Sequence, residues 1–160
     1  MTASLDLKIG GILETNHLSM FSVLSAPHQP GIAGKILSFL GDHEVSVEFL
    51  TLSSNLEDTA DVVCCFRDQY NEKVRALSTE LQETVGARGV RWRHAISVVG
   101  IYGPHFKEKP YIAGRFCSAL GQYHINIIGI SSSISSVSCI IDTSEVERAK
   151  EAILQVFELP

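Results

Sequence analysis

The residue types that usually carry chemistry are thinly spread in this chain. Six histidines (His17, His28, His43, His94, His105 and His124) are scattered, and none forms a convincing metal-ligand cluster with a second ligand type. Cys64, Cys65, Cys117 and Cys139 show no C-x-x-C spacing, which excludes a zinc knuckle and a redox motif. They are expected to be buried, reduced thiols that behave as small hydrophobes. No G-x-S-x-G elbow, P-loop or H-E-x-x-H run occurs. The sequence therefore predicts no catalytic residue, no metal and no cofactor, and a protein that is not an enzyme.

What remains is the chemistry of the backbone. Two loops lead into helix-like runs, one through His28, Gln29, Pro30, Gly31, Ile32 and Ala33, the other through Pro110, Tyr111, Ile112 and Ala113. Free N–H groups at a helix N-terminus hold a carboxylate or phosphate without any cationic side chain. Gly31 adds no Cβ to obstruct a ligand. A second lip is expected from the stretch after each helix, at Ser46 in one case and at Ile125, Asn126 and Ile127 in the other. Asn126 offers both donor and acceptor, which suits a zwitterion. Residue types alone favour the plainer reading, in which Pro-Gly starts a helix and Asn caps a strand.

The two loops belong to a repeat. Pro30-Gly31-Ile32-Ala33-Gly34-Lys35-Ile36-Leu37-Ser38-Phe39-Leu40-Gly41 aligns with Pro110-Tyr111-Ile112-Ala113-Gly114-Arg115-Phe116-Cys117-Ser118-Ala119-Leu120-Gly121, eighty residues on. The match runs without a gap into Val45-Ser46-Val47 and Ile125-Asn126-Ile127. One supersecondary unit is used twice.

Each copy must position its loop with the same elements. Residues 21–24 and 96–100 read as buried strands. Helices follow, with Ile32, Ile36, Phe39 and Leu40 in one and Ile112, Phe116, Ala119 and Leu120 in the other at helical spacing. Pro30 and Pro110 suit a first helical turn, and Gly41 and Gly121 suit left-handed caps. Residues 45–52 and 125–130 read as strands, then 60–66 and 137–141. A last helix carries Val74, Leu77 and Leu81, or Val146, Ala149 and Ile153, with Asp142, Thr143 and Ser144 as N-cap candidates. Residues 90–94 finish the first copy. The extra strand at 8–15 is assigned to the second copy, with the first inserted between. The predicted class is α+β, two ferredoxin-like βαββαβ units with antiparallel sheets and helices on one face. Residues 16–90 form the first unit, and 91–160 the second.

Composition bounds the rest. The net charge is −5 and 45% of the 160 residues are hydrophobic, so neither nucleic acid nor an anionic membrane is a natural partner. No apolar run has membrane-spanning length and no signal-peptide profile is present, which predicts a cytoplasmic protein.

The segments Pro30-Gly31-Ile32-Ala33 and His124-Ile125-Asn126-Ile127, the run Ile96-Ser97-Val98-Val99-Gly100 and the closing helix at 149–159 resemble ACT domains. The resemblance is to the tandem ACT regulatory region of aspartate kinases and covers nearly the whole chain, including Ile9-Gly10-Gly11-Ile12. It implies sheet-sharing homodimers and an amino-acid effector held between units near the first helix. The kinase domain of that family is missing. The resemblance thus implies a stand-alone regulator, towards which Met1 leans, or a severed regulatory part, with an enzyme as a possible partner. His28 stands where the family carries an Asp that can face the effector's ammonium, Ser46 where it has Asn, Leu52 where it has Gln, and Tyr111 replaces the second Gly. Loss of one charge-assisted hydrogen bond costs roughly 1.5–3 kcal/mol, so the effector cannot be named from the family. A ligand-independent dimerisation or interaction module is the alternative.

Overall fold

The computed structural model describes residues 7–104 and 106–160, so His105 and Met1 lie outside the described residues. Two compact units form, one of residues 17–95, the other of the N-terminal segment through Asn16 together with Ile96–Pro160.

Two long strands run through both. β1 spans Gly11–Pro27 and β4 spans Gly89–Tyr102. The sequence reads each as two separate strands, because His17 and the His94-Ala95 pair interrupt the apolar pattern. The structure instead keeps each strand continuous and gives His17 (φ 59°) and Ala95 (φ 53°) left-handed backbone. A single left-handed residue changes which way the later side chains face without ending a strand.

In the unit of residues 17–95, β1 is followed by α1 (Ile32–Asp42), β2 (Phe49–Ser54), β3 (Thr59–Arg67), α2 (Asn71–Val85) and the first half of β4. Strand order is β2-β3-β1-β4. β3 pairs antiparallel with β1 from Leu18↔Arg67 to Pro27↔Thr59, and with β2 from Phe49↔Cys65 to Ser54↔Ala60. Alternate strand residues Phe21, Val23, Val62, Cys64 and Phe66 meet Ile36 and Leu40 of α1 and Val74 and Leu81 of α2 in one core.

The other unit uses the second half of β4, α3 (Ile112–Gln122), β5 (Gly129–Ser132), β6 (Ser136–Asp142) and α4 (Val146–Leu154). Its order is β1-β4-β6-β5. β6 pairs antiparallel with β4 from Ile96↔Asp142 to Tyr102↔Ser136. Val99, Ile101, Phe116, Leu120, Ile141 and Ile153 form its core, and Ile9 from the N-terminal segment is buried with them. The architecture is α+β and ferredoxin-like.

Local details differ from the sequence reading. Gly41 and Gly121 lie inside α1 and α3, and the left-handed caps are Glu44 (φ 60°) and His124 (φ 55°). Val45 N–H donates to the Leu40 carbonyl at 2.9 Å and Glu44 N–H to Gly41 at 2.9 Å; Ile125 and His124 repeat this on Leu120 and Gly121. This is the Schellman pattern, with the next apolar residue packed back on the helix. Residues 45–47 and 125–127 are consequently irregular chain, and the strands start only at Phe49 and Gly129. Pro30 and Pro110 precede the N-caps Gly31 and Tyr111 rather than opening the helices. Glu145, with no side-chain cap bond, is the N-cap of α4.

Candidate functional site

The entry to α1 is open at its N-terminus. β1 ends at Pro27, and His28 N–H donates to the Asp58 carbonyl at 2.9 Å, fastening the loop to the β2–β3 turn. Gln29 then accepts from Ile32 N–H at 3.3 Å. Gly31 takes φ 89°, a conformation that costs other residues strain, and nothing stands within 4 Å of where its Cβ would be. Lys35 N–H returns to the Gly31 carbonyl at 2.9 Å. Among the described residues, the N–H groups of Ala33 and Gly34 bond no backbone carbonyl. No side chain caps the helix and no acidic residue lies in its first turn. Eleven aligned peptide units therefore present an uncompensated positive end to whatever reaches it. His28, Gln29 and Gly31 are exposed, whereas Ile32 is buried in the core and Ala33 is half-buried. The residues 31–33 thus offer backbone rather than side chains.

Ser46, expected as a second lip, is not beside this loop. Pro27 lies opposite Thr59, whereas Glu48 N–H reaches the Cys65 carbonyl at the far end of β3. Six strand residues separate those two places, about 20 Å at roughly 3.3 Å per residue. Ser46, exposed before Glu48, is remote from the α1 entry of its own unit. Asn126 is displaced from the α3 entry of its own unit, by about 13 Å at the same spacing, since Ile128 N–H bonds Ile140 while the α3 loop follows Tyr102 opposite Ser136. Ile125 is buried in the core of its unit, Ile127 is half-buried, and the Asn126 side chain is exposed.

The α3 entry holds a depression that the sequence did not mark. It encloses about 160 Å³ where Phe106, Lys107, Lys109 and Ile112 meet Ser132 and Val137 near the β5–β6 turn. A signal was available in Lys107 and Lys109, which flank Glu108 just before Pro110, but two surface lysines in a loop are unremarkable without the turn that faces them. Tyr111, which stands where the other copy has Gly31, packs against the core of its unit and does not line the depression.

Three of the four thiols are inert by position. Burial pushes Cys64 up to about 12, and also Cys65 and Cys139, with a neighbouring cysteine adding to the last two. Among the described residues no group of three or more His, Cys, Asp or Glu could hold a metal ion.

The fold has counterparts among known proteins. Residues 96–157 match the model of the ACT domain family. Over 152 residues the chain is 30% identical to an aspartate kinase of Pseudomonas fluorescens, covering 94% of this chain and 37% of that protein. It is 27% identical over 157 residues to an aspartokinase of Mycolicibacterium smegmatis, covering 96% and 37%. The chain therefore spans little more than a third of these relatives. A solved structure, the ligand-free regulatory subunit of aspartate kinase from Thermus thermophilus, superposes with a TM-score of 0.84 at 21% identity, covering 94% of this chain and 99% of that one. This fold is thus common to the chain and to a regulatory subunit of nearly its own length. No helix among the described residues is long and apolar enough to cross a membrane.

Proposed function

We propose that this chain is a non-catalytic regulatory protein of tandem ACT units that binds a small amino acid or related metabolite, with the effector's carboxylate on the N-terminus of α1. The observation that carries this reading is the open first turn, in which Gly31 is left-handed and unobstructed and the Ala33 and Gly34 N–H groups lack a backbone acceptor. His28, Gln29, Gly31, Ile32 and Ala33 form the proposed contact, mostly through backbone. A zwitterion also needs an acceptor for its ammonium. Since Ser46 is about 20 Å from that loop by strand spacing, the proposed second lip is Ser46, or Ile125, Asn126 and Ile127, of another copy in a homodimer. A two-fold interface brings such distant parts of two identical chains together.

A second reading is favoured by the share of each relative that is matched. In it the chain is the regulatory part of an aspartate kinase and acts on a catalytic domain.

Thermal denaturation with each common amino acid at millimolar concentration tests the binding. Saturation to about 100 times Kd stabilises a protein by about 2.7 kcal/mol, so a true effector raises Tm by several degrees. Gly31→Val, which places a branched side chain at the open turn, and Asn126→Ala are expected to reduce the shift. If no amino acid raises Tm, the sensor reading fails.

A further inference from the structure

A buried serine organises a polar chain in the unit of residues 17–95. Ser19 on β1, fully buried, donates from Oγ to Asp68 Oδ1 at 2.8 Å and lies 3.0 Å from His94 Nδ1. Asp68 opens the 3-10 turn before α2, and His94 is exposed on β4. On the other side of the ring, His94 Nε2 lies 3.1 Å from Arg75 Nη2 of α2. The Arg75 guanidinium also sits 5.0 Å over the Trp92 ring, and Trp92 and His94 stack at 6.1 Å. Arginine has only donors, so His94 Nε2 must accept. A neutral ring then carries its proton on Nδ1 and donates to Ser19, whose own proton goes to Asp68. All contacts are met at once only while the imidazole is neutral.

The other unit repeats the position without the titrating ring. Ser97, also buried, donates to Asn16 Oδ1 at 2.8 Å and meets Thr143 Oγ1 at 2.9 Å. Thr143 opens its 3-10 turn as Asp68 does. Asn16 precedes left-handed His17 as His94 precedes left-handed Ala95. Asn16 Nδ2 donates to Glu14 at 2.7 Å, and Glu14 binds Lys150 of α4 at 3.0 Å. A basic residue of the second helix is tied to the closing strand in both units, through the Glu14 carboxylate in one and through an imidazole in the other.

We propose that His94 is a proton-sensitive latch in the unit of residues 17–95. Neutral, it ties α2 to β4 through Arg75. Protonated, Nε2 becomes a donor facing the donors of Arg75, so this tie opens and the guanidinium leaves Trp92. The Nδ1–Ser19–Asp68 half survives, since Nδ1 donates in either state. The charged groups facing the ring are Arg75 from α2 and, through Ser19, Asp68; β1 presents the Ser19 hydroxyl and β4 the Trp92 ring. The order of groups excludes a hydrolytic triad, because the serine stands between the carboxylate and the imidazole and is closed to substrate.

Trp92 is the only tryptophan of the chain, which makes its emission a site-specific reading. Acrylamide quenching of the full chain is followed from about pH 8 to about pH 5, the range in which histidine changes charge. Wild type is expected to quench more strongly as pH falls. His94→Gln is expected to lose that pH response, and Arg75→Ala is expected to quench at neutral pH as wild type does at low pH. Far-UV circular dichroism confirms that each variant is folded, and His94→Asn, copying Asn16, serves if His94→Gln is not. Quenching of wild type that is constant across the range overturns the proposal, as does a pH response that persists without His94.

Discussion

Gly100 leaves no room for a methyl group: an added Cβ would lie 2.5 Å from the Val137 carbonyl oxygen and 2.6 Å from Ser138 Oγ on the paired strand. Backbone cannot yield as a flexible side chain can, so Gly100→Ala is expected to cost about 1–3 kcal/mol, read from chemical denaturation. Wild-type stability in that variant would refute the packing. Glu44 and His124 are the opposite case, ordinary residues held left-handed at helix ends. Left-handed backbone costs roughly 1–2 kcal/mol outside glycine, which α2 uses at the same place as Gly86. Glu44→Gly is therefore expected to raise stability by up to about 1 kcal/mol. The sequence pointed to Gly41 and Gly121 for this role because glycine is the usual cap, yet their positions fall a turn early. The thiols yield a kinetic prediction. Cys64, Cys65 and Cys139 should resist a thiol reagent in native protein at neutral pH, with Cys117, which is partly exposed, reacting first. Their raised values contribute stability below the ordinary thiol range near 8.5, and this is lost as pH climbs towards about 12. Rapid native labelling of four thiols would contradict the burial.

Among the elements, α4 and the N-terminal segment are joined by charge. The Glu14 carboxyl is held below its ordinary value, first by the Asn16 amide and then by Lys150. A depressed carboxylate stabilises the fold above the ordinary glutamate range near 4.3, and the contribution disappears as pH falls below it. Because Glu14 and Lys150 are partly exposed, the effect is small. Glu14→Gln is expected to flatten the fall of Tm with acid below about pH 5, and an unchanged acid limb would reject the assignment. The helices were readable from Ile32, Ile36 and Leu40, and from Ile112, Phe116 and Leu120, because a 3.6-residue period survives in sequence. The start of β2 was not. Val45-Ser46-Val47 alternates like a strand, but its first residue is recruited to close α1 against Leu40, which leaves the segment irregular.

At the scale of the molecule, the unit that contains Ile96–Pro160 is discontinuous in sequence. Ile9 is part of its core, Ile9 N–H donates to Glu158 at 2.9 Å, Glu158 N–H to Leu7 at 3.1 Å and Gly10 N–H to Tyr102 at 2.6 Å. Ser97 and Lys150 are bound by Asn16 and Glu14 of the same segment. A chain lacking residues 1–16 is expected to lose hydrogen-exchange protection on β4, β6 and α4 of that unit, because the buried serine and the closing strand lose their partners together. Full protection of residues 96–160 in the truncated chain would show the segment to be dispensable. The repeat made two units legible, and the unpaired strand near the N-terminus suggested where one of them ends.

By itself, the sequence determined the βαββα pattern, its duplication and, apart from their first residue, the helix entries, since these rest on local period and on backbone that glycine frees and proline restricts. Tertiary structure alone decided how groups far apart in the chain meet. It placed Ser46 and Asn126 away from the helix entry of their own unit, because strand register fixes distance where sequence fixes only order. It also gathered Ser19, Asp68, Arg75 and His94, which no spacing connects, around one buried hydroxyl that needed a partner.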